Sequence, residues 1–106
     1  MENNDSEITE EKTAEGIKFI IKGRVNSDNA DELQGKLQKA LNDGQINIVL
    51  DMFRVDFLSS AGIRVILKTY QDANDAGGKF GIEMPSRNVR NVLGMTALDE
   101  LLIKKS

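Results

Sequence analysis

The stretch that most restricts the fold runs from Ile46 to Leu67, where INIVLDM gives way to FLSSAGIRVIL. The first run is short, strongly apolar and rich in β-branched residues, which suits a strand covered on both faces. Ile63, Ile66, Leu67, Tyr70 and Ala73 then recur at helical spacing. A change of hydrophobic period within so few residues marks a strand handing over to a helix. Between the two lie a predicted loop, MFRVDFL, opened by Asp51, and two adjacent serines, Ser59 and Ser60.

The same alternation extends along the chain. Ile8 to Thr13 is a candidate strand closed by a turn at Glu15-Gly16, and Ile17, Phe19 and Ile21 alternate with Lys18 and Lys22. The acids of the first strand and the lysines of the second can pair across a hairpin. SDNADELQGKLQKALNDG reads as a helix with Ser27 or Asp28 as its cap, an apolar stripe through Ala30, Leu33, Leu37, Ala40 and Leu41, and a stop at Asp43-Gly44. Gly35 falls opposite that stripe, at an exposed site.

Ala76-Gly77-Gly78 ends the second helix, and KFGIEM alternates Phe80, Ile82 and Met84 as a further strand. Pro85-Ser86 opens a third helix on Val89, Val92 and Leu93, stopped by Gly94. The remainder, MTALDELLIKKS, reads either as a helical turn or as a last short strand at Leu101–Lys104. These elements predict an α/β domain: a mixed, mostly parallel sheet of four to five strands with helices packed on it and an antiparallel first hairpin. Folds of this kind place function where strands hand over to helices.

Composition removes several function classes. A chain of 106 residues, 40% hydrophobic and 29% charged, fits one soluble globular domain. No apolar run approaches the roughly 18 residues that cross a bilayer. MENNDSEITEEK is acidic and polar, unlike a secretory signal, so residues 1–7 are expected to be a tail and 8–106 the domain. With no cysteine there is neither disulfide nor thiol chemistry, and a cytoplasmic location is expected.

The lack of histidine removes Ser-His-Asp catalysis, histidine phosphotransfer and most zinc sites. No cofactor or metal is expected. Residues 1–15 hold six acids and one base, a local charge of −5, and the remaining eleven acids and thirteen bases leave +2. That weak, dispersed excess, with aromatics at 5% and no tryptophan, argues against nucleic acid as a direct partner.

The serine pair has two readings. In the first, Ser59 caps the helix and Ser60 is its first residue, which needs only one serine; the second is then incidental. In the second reading one hydroxyl is modified. Gly62 falls in the first turn, where a glutamate would complete a capping box, and Ala61-Gly62 leave a bare surface open to another protein. A helix start tolerates added negative charge, and Arg64 stands four residues after Ser60, within reach of a group there. Arg64 is equally readable as a solvated surface residue. Catalysis does not account for the pair. Asp51 and Asp56 lack a histidine intermediary, the G-x-S-x-G elbow is missing, and Gly77-Gly78-Lys79 is a helix stop rather than a phosphate loop.

DMFRVDFLSSAGIRVIL, from Asp51 to Leu67, resembles the core motif of the anti-sigma-factor antagonist family, the STAS-domain proteins. Asp51, Phe57-Leu58, Ser59-Ser60-Ala61-Gly62 and the helix from Ile63 match its pattern, as does Gly23-Arg24-Val25-Asn26 before the first helix. SRNVRNVLGMTALDELL carries the family's later helical rhythm. The resemblance runs from about Ile8 to Ile103. It implies a bacterial antagonist, not an enzyme, whose Ser60 is phosphorylated by an anti-sigma factor that is also a serine kinase. The unmodified form binds that kinase and frees the sigma factor; phosphorylation ends binding, and a serine phosphatase of the PP2C type restores it.

The implied partner-binding residues are Asn26, Ser27, Asp56, Phe57, Leu58, Ser59, Ser60, Ala61, Gly62 and Arg64. Ser59 stands where the family often has aspartate, which leaves it as a competing acceptor, and Asn26 also replaces an aspartate. The other implied role is a STAS scaffold subunit of a membrane lipid- or anion-transport assembly, which would need a separate membrane partner.

Overall fold

Burial along the strands is decided by alternation. In β2 (Ile17–Val25), Ile17, Phe19, Ile21 and Val25 are buried, while Lys18, Ile20 and Lys22 keep partial exposure on the opposite face. The computed structural model describes residues 6–96. β1 (Ser6–Lys12) precedes β2, and α1 (Ala30–Asn42), β3 (Asn47–Leu58), α2 (Ser60–Asp75), β4 (Lys79–Glu83) and α3 (Arg87–Met95) follow.

The described strands form one sheet in the order β1-β2-β3-β4, with β1 antiparallel to β2 and the others parallel. This is the predicted mixed, mostly parallel α/β sheet, with four strands among the described residues. The expected fifth, at Leu101–Lys104, lies outside them. Ser6 and Glu7, assigned to the acidic tail, belong to β1. The hairpin register sets Glu7 opposite Lys22 and Glu11 opposite Lys18. Lys18 nevertheless forms its ion pair with Glu83 of β4, at 2.8 Å.

The core is one cluster. Inward residues of β2, β3 and β4 meet Leu33 and Leu37 of α1, Val65 and Ile66 of α2, and Val89 and Leu93 of α3. The helices thus cover one sheet face. On the other, Val49 and Asp51 of β3 are half-buried, and among the described residues no helix covers INIVLDM on that face.

β3 holds the main surprise. Met52 to Leu58, expected as a loop, continue the strand. Its register against β2 steps from Ile20–Asp51 to Lys22–Arg54, then from Gly23–Val55 to Arg24–Phe57, so β3 carries one extra residue at each step. Each bulge turns two consecutive residues outward, Phe53-Arg54 and Asp56-Phe57, and returns Val55 and Leu58 to the core. A strand whose inward residues fall at 52, 55 and 58 lacks the period of two by which strands are recognised.

Other boundaries shift. The N-cap position of α1 is Asn29, not Ser27 or Asp28, and its side chain makes no capping hydrogen bond. Leu67, expected on the buried stripe of α2, is exposed; Val65 and Thr69 take that face, and Thr69 Oγ1 donates to the Val65 carbonyl at 2.8 Å. Met84 leaves β4 with φ 51 and is exposed. Gly94 lies inside α3 rather than ending it.

Candidate functional site

The carboxyl-terminal ends of β2 and β3 meet where α1 and α2 begin. The Ser59 backbone N–H donates to the Val25 carbonyl at 2.9 Å, which joins the end of β3 to the end of β2. Ser59 then turns the chain into α2 from an extended conformation, and its Oγ accepts from the Gly62 N–H at 3.3 Å. That is the expected cap. Ser60 is the first residue of α2 and is exposed, and its hydroxyl makes no hydrogen bond among the described residues. One serine does the structural task; the other presents a hydroxyl.

Gly62 has a different reason from the one its place suggests. A Cβ there would lie 2.7 Å from Leu58 Cδ1 and 2.7 Å from Val25 Cγ1, so the glycine lets the first turn of α2 press onto the strand ends. Gly62 and Leu58 are both buried. Expected among the partner-binding residues, both lie in the interior beneath the start of α2, because both strand ends close against the helix at this point. Ala61 is half-buried; Ser27, Asp56, Phe57, Ser60 and Arg64 are exposed.

Asn26 and Asn29 brace the neighbouring loop. Asn29 Oδ1 accepts from the Asn26 N–H at 2.9 Å, while Asn26 Oδ1 accepts from the N–H groups of Asp28 and Asn29 at 2.9 and 3.2 Å. Asn29 Nδ2 also donates to the Arg24 carbonyl at 2.8 Å. Asn26 therefore keeps the acceptor oxygen that an aspartate would supply, without the charge. The N-x-x-N spacing was the signal for this reciprocal arrangement.

A groove of about 340 Å³ runs between the starts of α1 and α2, lined by Ser27, Asp31, Gln34, Ala61, Arg64 and Lys68 among others. It brings together Ser27, Ala61 and Arg64 from segments far apart in sequence. A cavity of about 360 Å³ lies at the other end of the parallel strands, beside Glu15, Asn47 and Lys79, and none of the predicted site residues lines it.

Three contributors escaped the sequence reading. The Arg24 guanidinium lies 4.6 Å from the centre of the Phe57 ring. Ser86 Oγ donates to the Val55 carbonyl at 2.6 Å, and Asn88 Nδ2 donates to the Asp56 carbonyl. These last two clamp the start of α3 onto the bulged part of β3. Among the described residues no group of three or more acidic side chains is placed to hold a metal ion, and no helix is long and apolar enough to cross a membrane.

The family model of the STAS domain matches residues 8–106. The chain belongs to the STAS domain family. Among relatives of this STAS domain is BtrV of Bordetella bronchiseptica, a protein assigned as an anti-sigma factor antagonist, 35% identical over 72 residues. That alignment covers 68% of this chain and 62% of BtrV, so the chain matches less than two thirds of the relative's length. The anti-sigma factor antagonist SpoIIAA in its unphosphorylated form superposes with a TM-score of 0.83 at 18% identity, covering 94% of this chain and 89% of SpoIIAA. SpoIIAA in its phosphorylated form, described as a Bacillus cell fate determinant, gives 0.76 at 19% identity, covering 94% and 92%. At these identities the superpositions establish the fold.

Proposed function

We propose that this STAS domain is an anti-sigma factor antagonist switched by phosphorylation of Ser60. In its unmodified form it binds an anti-sigma factor that is also a serine kinase, and so releases a sigma factor. Phosphorylation ends that binding, and a serine phosphatase of the PP2C type reverses it. The observation that carries this reading is the division of labour in the serine pair: Ser59 satisfies the helix start, and Ser60 stands exposed beside it. Ser59, whose Oγ is engaged, is the weaker acceptor. BtrV and SpoIIAA, both described as antagonists, support the assignment, and SpoIIAA is known in a phosphorylated form.

The electrostatics of a helix start make the switch workable. A phosphate adds about −1.5 to −2 charge, which unpaired backbone N–H groups and the helix dipole accommodate within the monomer. At a packed interface that charge would lose its hydration, at a cost of several kcal/mol, and each 1.4 kcal/mol is tenfold in affinity. One modification therefore releases a partner without disturbing the fold.

The test is to incubate the protein with ATP and a kinase encoded beside it, then map phosphate by mass spectrometry. Label is expected on Ser60; Ser60→Ala should bind the kinase unlabelled, and Ser60→Asp should bind about a hundredfold more weakly. Label that persists in Ser60→Ala, or equal affinity of the phosphorylated and unphosphorylated forms, overturns the proposal.

A further inference from the structure

The arginines and lysines of this protein are not distributed alike. All five arginines lie at the serine end of the sheet: Arg24 one residue before the end of β2, Arg54 in the bulged part of β3, Arg64 early in α2, and Arg87 and Arg90 in the opening turns of α3. Each is exposed, and none forms an ion pair among the described residues. The ion pairs there belong to Lys18, Lys39 and Lys68. Arginine presents a planar donor fork matched to carboxylates and loses less hydration when covered than lysine does. Its segregation to one end is a property of a contact surface rather than of a solubilising one.

The bulges of β3 complete that surface. Phe53 and Phe57 are 57% and 40% exposed, side chains that a monomer of this size would ordinarily bury. Each bulge turns out an aromatic beside a charged residue, and Arg24 lies over the Phe57 ring. Exposed aromatics braced by arginine are the usual centre of a protein–protein interface.

We infer that Arg24, Phe53, Arg54 and Phe57, flanked by Arg87, form a docking surface for a partner protein that presents carboxylates around an apolar patch. This rests on the function proposed above and extends it. If the partner's facing surface is acidic, a phosphate on Ser60 repels it directly, besides needing desolvation. The same groups do not suit a polyanion such as DNA or an anionic membrane. Asp56 is turned outward by the second bulge beside Phe57, Asp51 stands opposite Glu83 in the β3–β4 register on the same sheet face, and the chain carries net charge −3. A uniform field of phosphates would meet all of these; discrete carboxylates need not.

The experiment has two arms. In one, the 15N-labelled protein is titrated with a deca-glutamate peptide, with phosphatidylserine vesicles and with a short duplex DNA. Amide shifts are expected with the peptide at Arg24, Arg54 and Phe57, and are abolished in Arg24→Glu and Arg54→Glu. Shifts no larger there than around Lys36, or tighter binding of vesicles or DNA, overturn the inference. In the other arm, the kinase that labels Ser60 is titrated by calorimetry. Arg24→Glu and Phe57→Ala should each weaken binding at least about tenfold, and Lys36→Glu less than about twofold. Unchanged affinity in Arg24→Glu and Phe57→Ala, with phosphorylation still abolishing binding, sinks this surface and leaves the switch standing. Should no kinase label or bind the protein, the switch fails, and the peptide arm still decides the surface.

Discussion

Two helices of this protein begin on a serine, and the two starts are put to different use. Ser59 and Ser86 have nearly the same backbone, φ −84 and ψ 173 against φ −65 and ψ 167, and each accepts from the N–H three residues onward. Ser86 goes further. Its Oγ donates to the Val55 carbonyl, its N–H donates to the Met52 carbonyl, and two residues later Asn88 holds the Asp56 carbonyl. The start of α3 is thereby tied to β3 at three points. Ser59 is tied to the sheet by its backbone N–H alone, and the residue after it is an exposed serine whose hydroxyl has no hydrogen bond among the described residues. A capped helix start can thus be either a structural joint or a presentation site, and the residues after the cap decide which.

That contrast can be broken by mutation. The largest effect is expected beneath the presentation site. Gly62→Val places branched carbon against Val25 and Leu58 and should cost about 3 kcal/mol, read from the urea midpoint; a loss under about 0.5 kcal/mol would mean that α2 moves off the strands freely. Next comes the joint. Ser86→Ala removes a cap and leaves the Val55 carbonyl without its donor, so about 2 kcal/mol should be lost, against about 1 kcal/mol for Ser59→Ala. Equal losses would erase the distinction. Ser60→Ala should alter stability by less than about 0.5 kcal/mol while preventing the switch, and a larger loss would make Ser60 a structural residue after all.

The smallest expected effect lies on the sheet face opposite the described helices. The hydrogen bond to Glu83 raises the Lys18 pKa above its ordinary 10.5, helped by the charges of Glu83, Glu11 and Asp51 and opposed by burial. A raised lysine pKa gives stability that is complete below 10.5 and lost as pH climbs through the folded value. Lys18→Met should therefore cost under about 1 kcal/mol at neutral pH, and the gap should close above pH 10.5. A gap that stays constant across that range would show the pair to be inert.

Much of the fold was legible because most elements keep their period. Ile17, Phe19 and Ile21 alternate as a strand should, and Ala30, Leu33, Leu37 and Ala40 repeat as a helix should. The reading failed where period and structure part company. Met52, Val55 and Leu58 are spaced by three because two bulges intervene, and no local rule separates that spacing from a loop. Leu67 was placed inside by its apolarity, although α2 packs on the sheet through Gly62, Val65, Ile66, Thr69 and Ala73 instead.

At the site, the amino acids themselves determined that Ser59 would cap and that Ser60 would follow as the first helical residue, since both depend on interactions three or four residues long. Their composition supplied no histidine among these 106 residues. The tertiary structure decided what Gly62 is for, where Arg24 and Phe57 meet, and that Ser86 rather than Ser59 becomes the locked joint. Each of these depends on strands brought side by side from distant parts of the chain. Spacing along one segment carries no record of which carbonyl or side chain a neighbouring strand will place opposite.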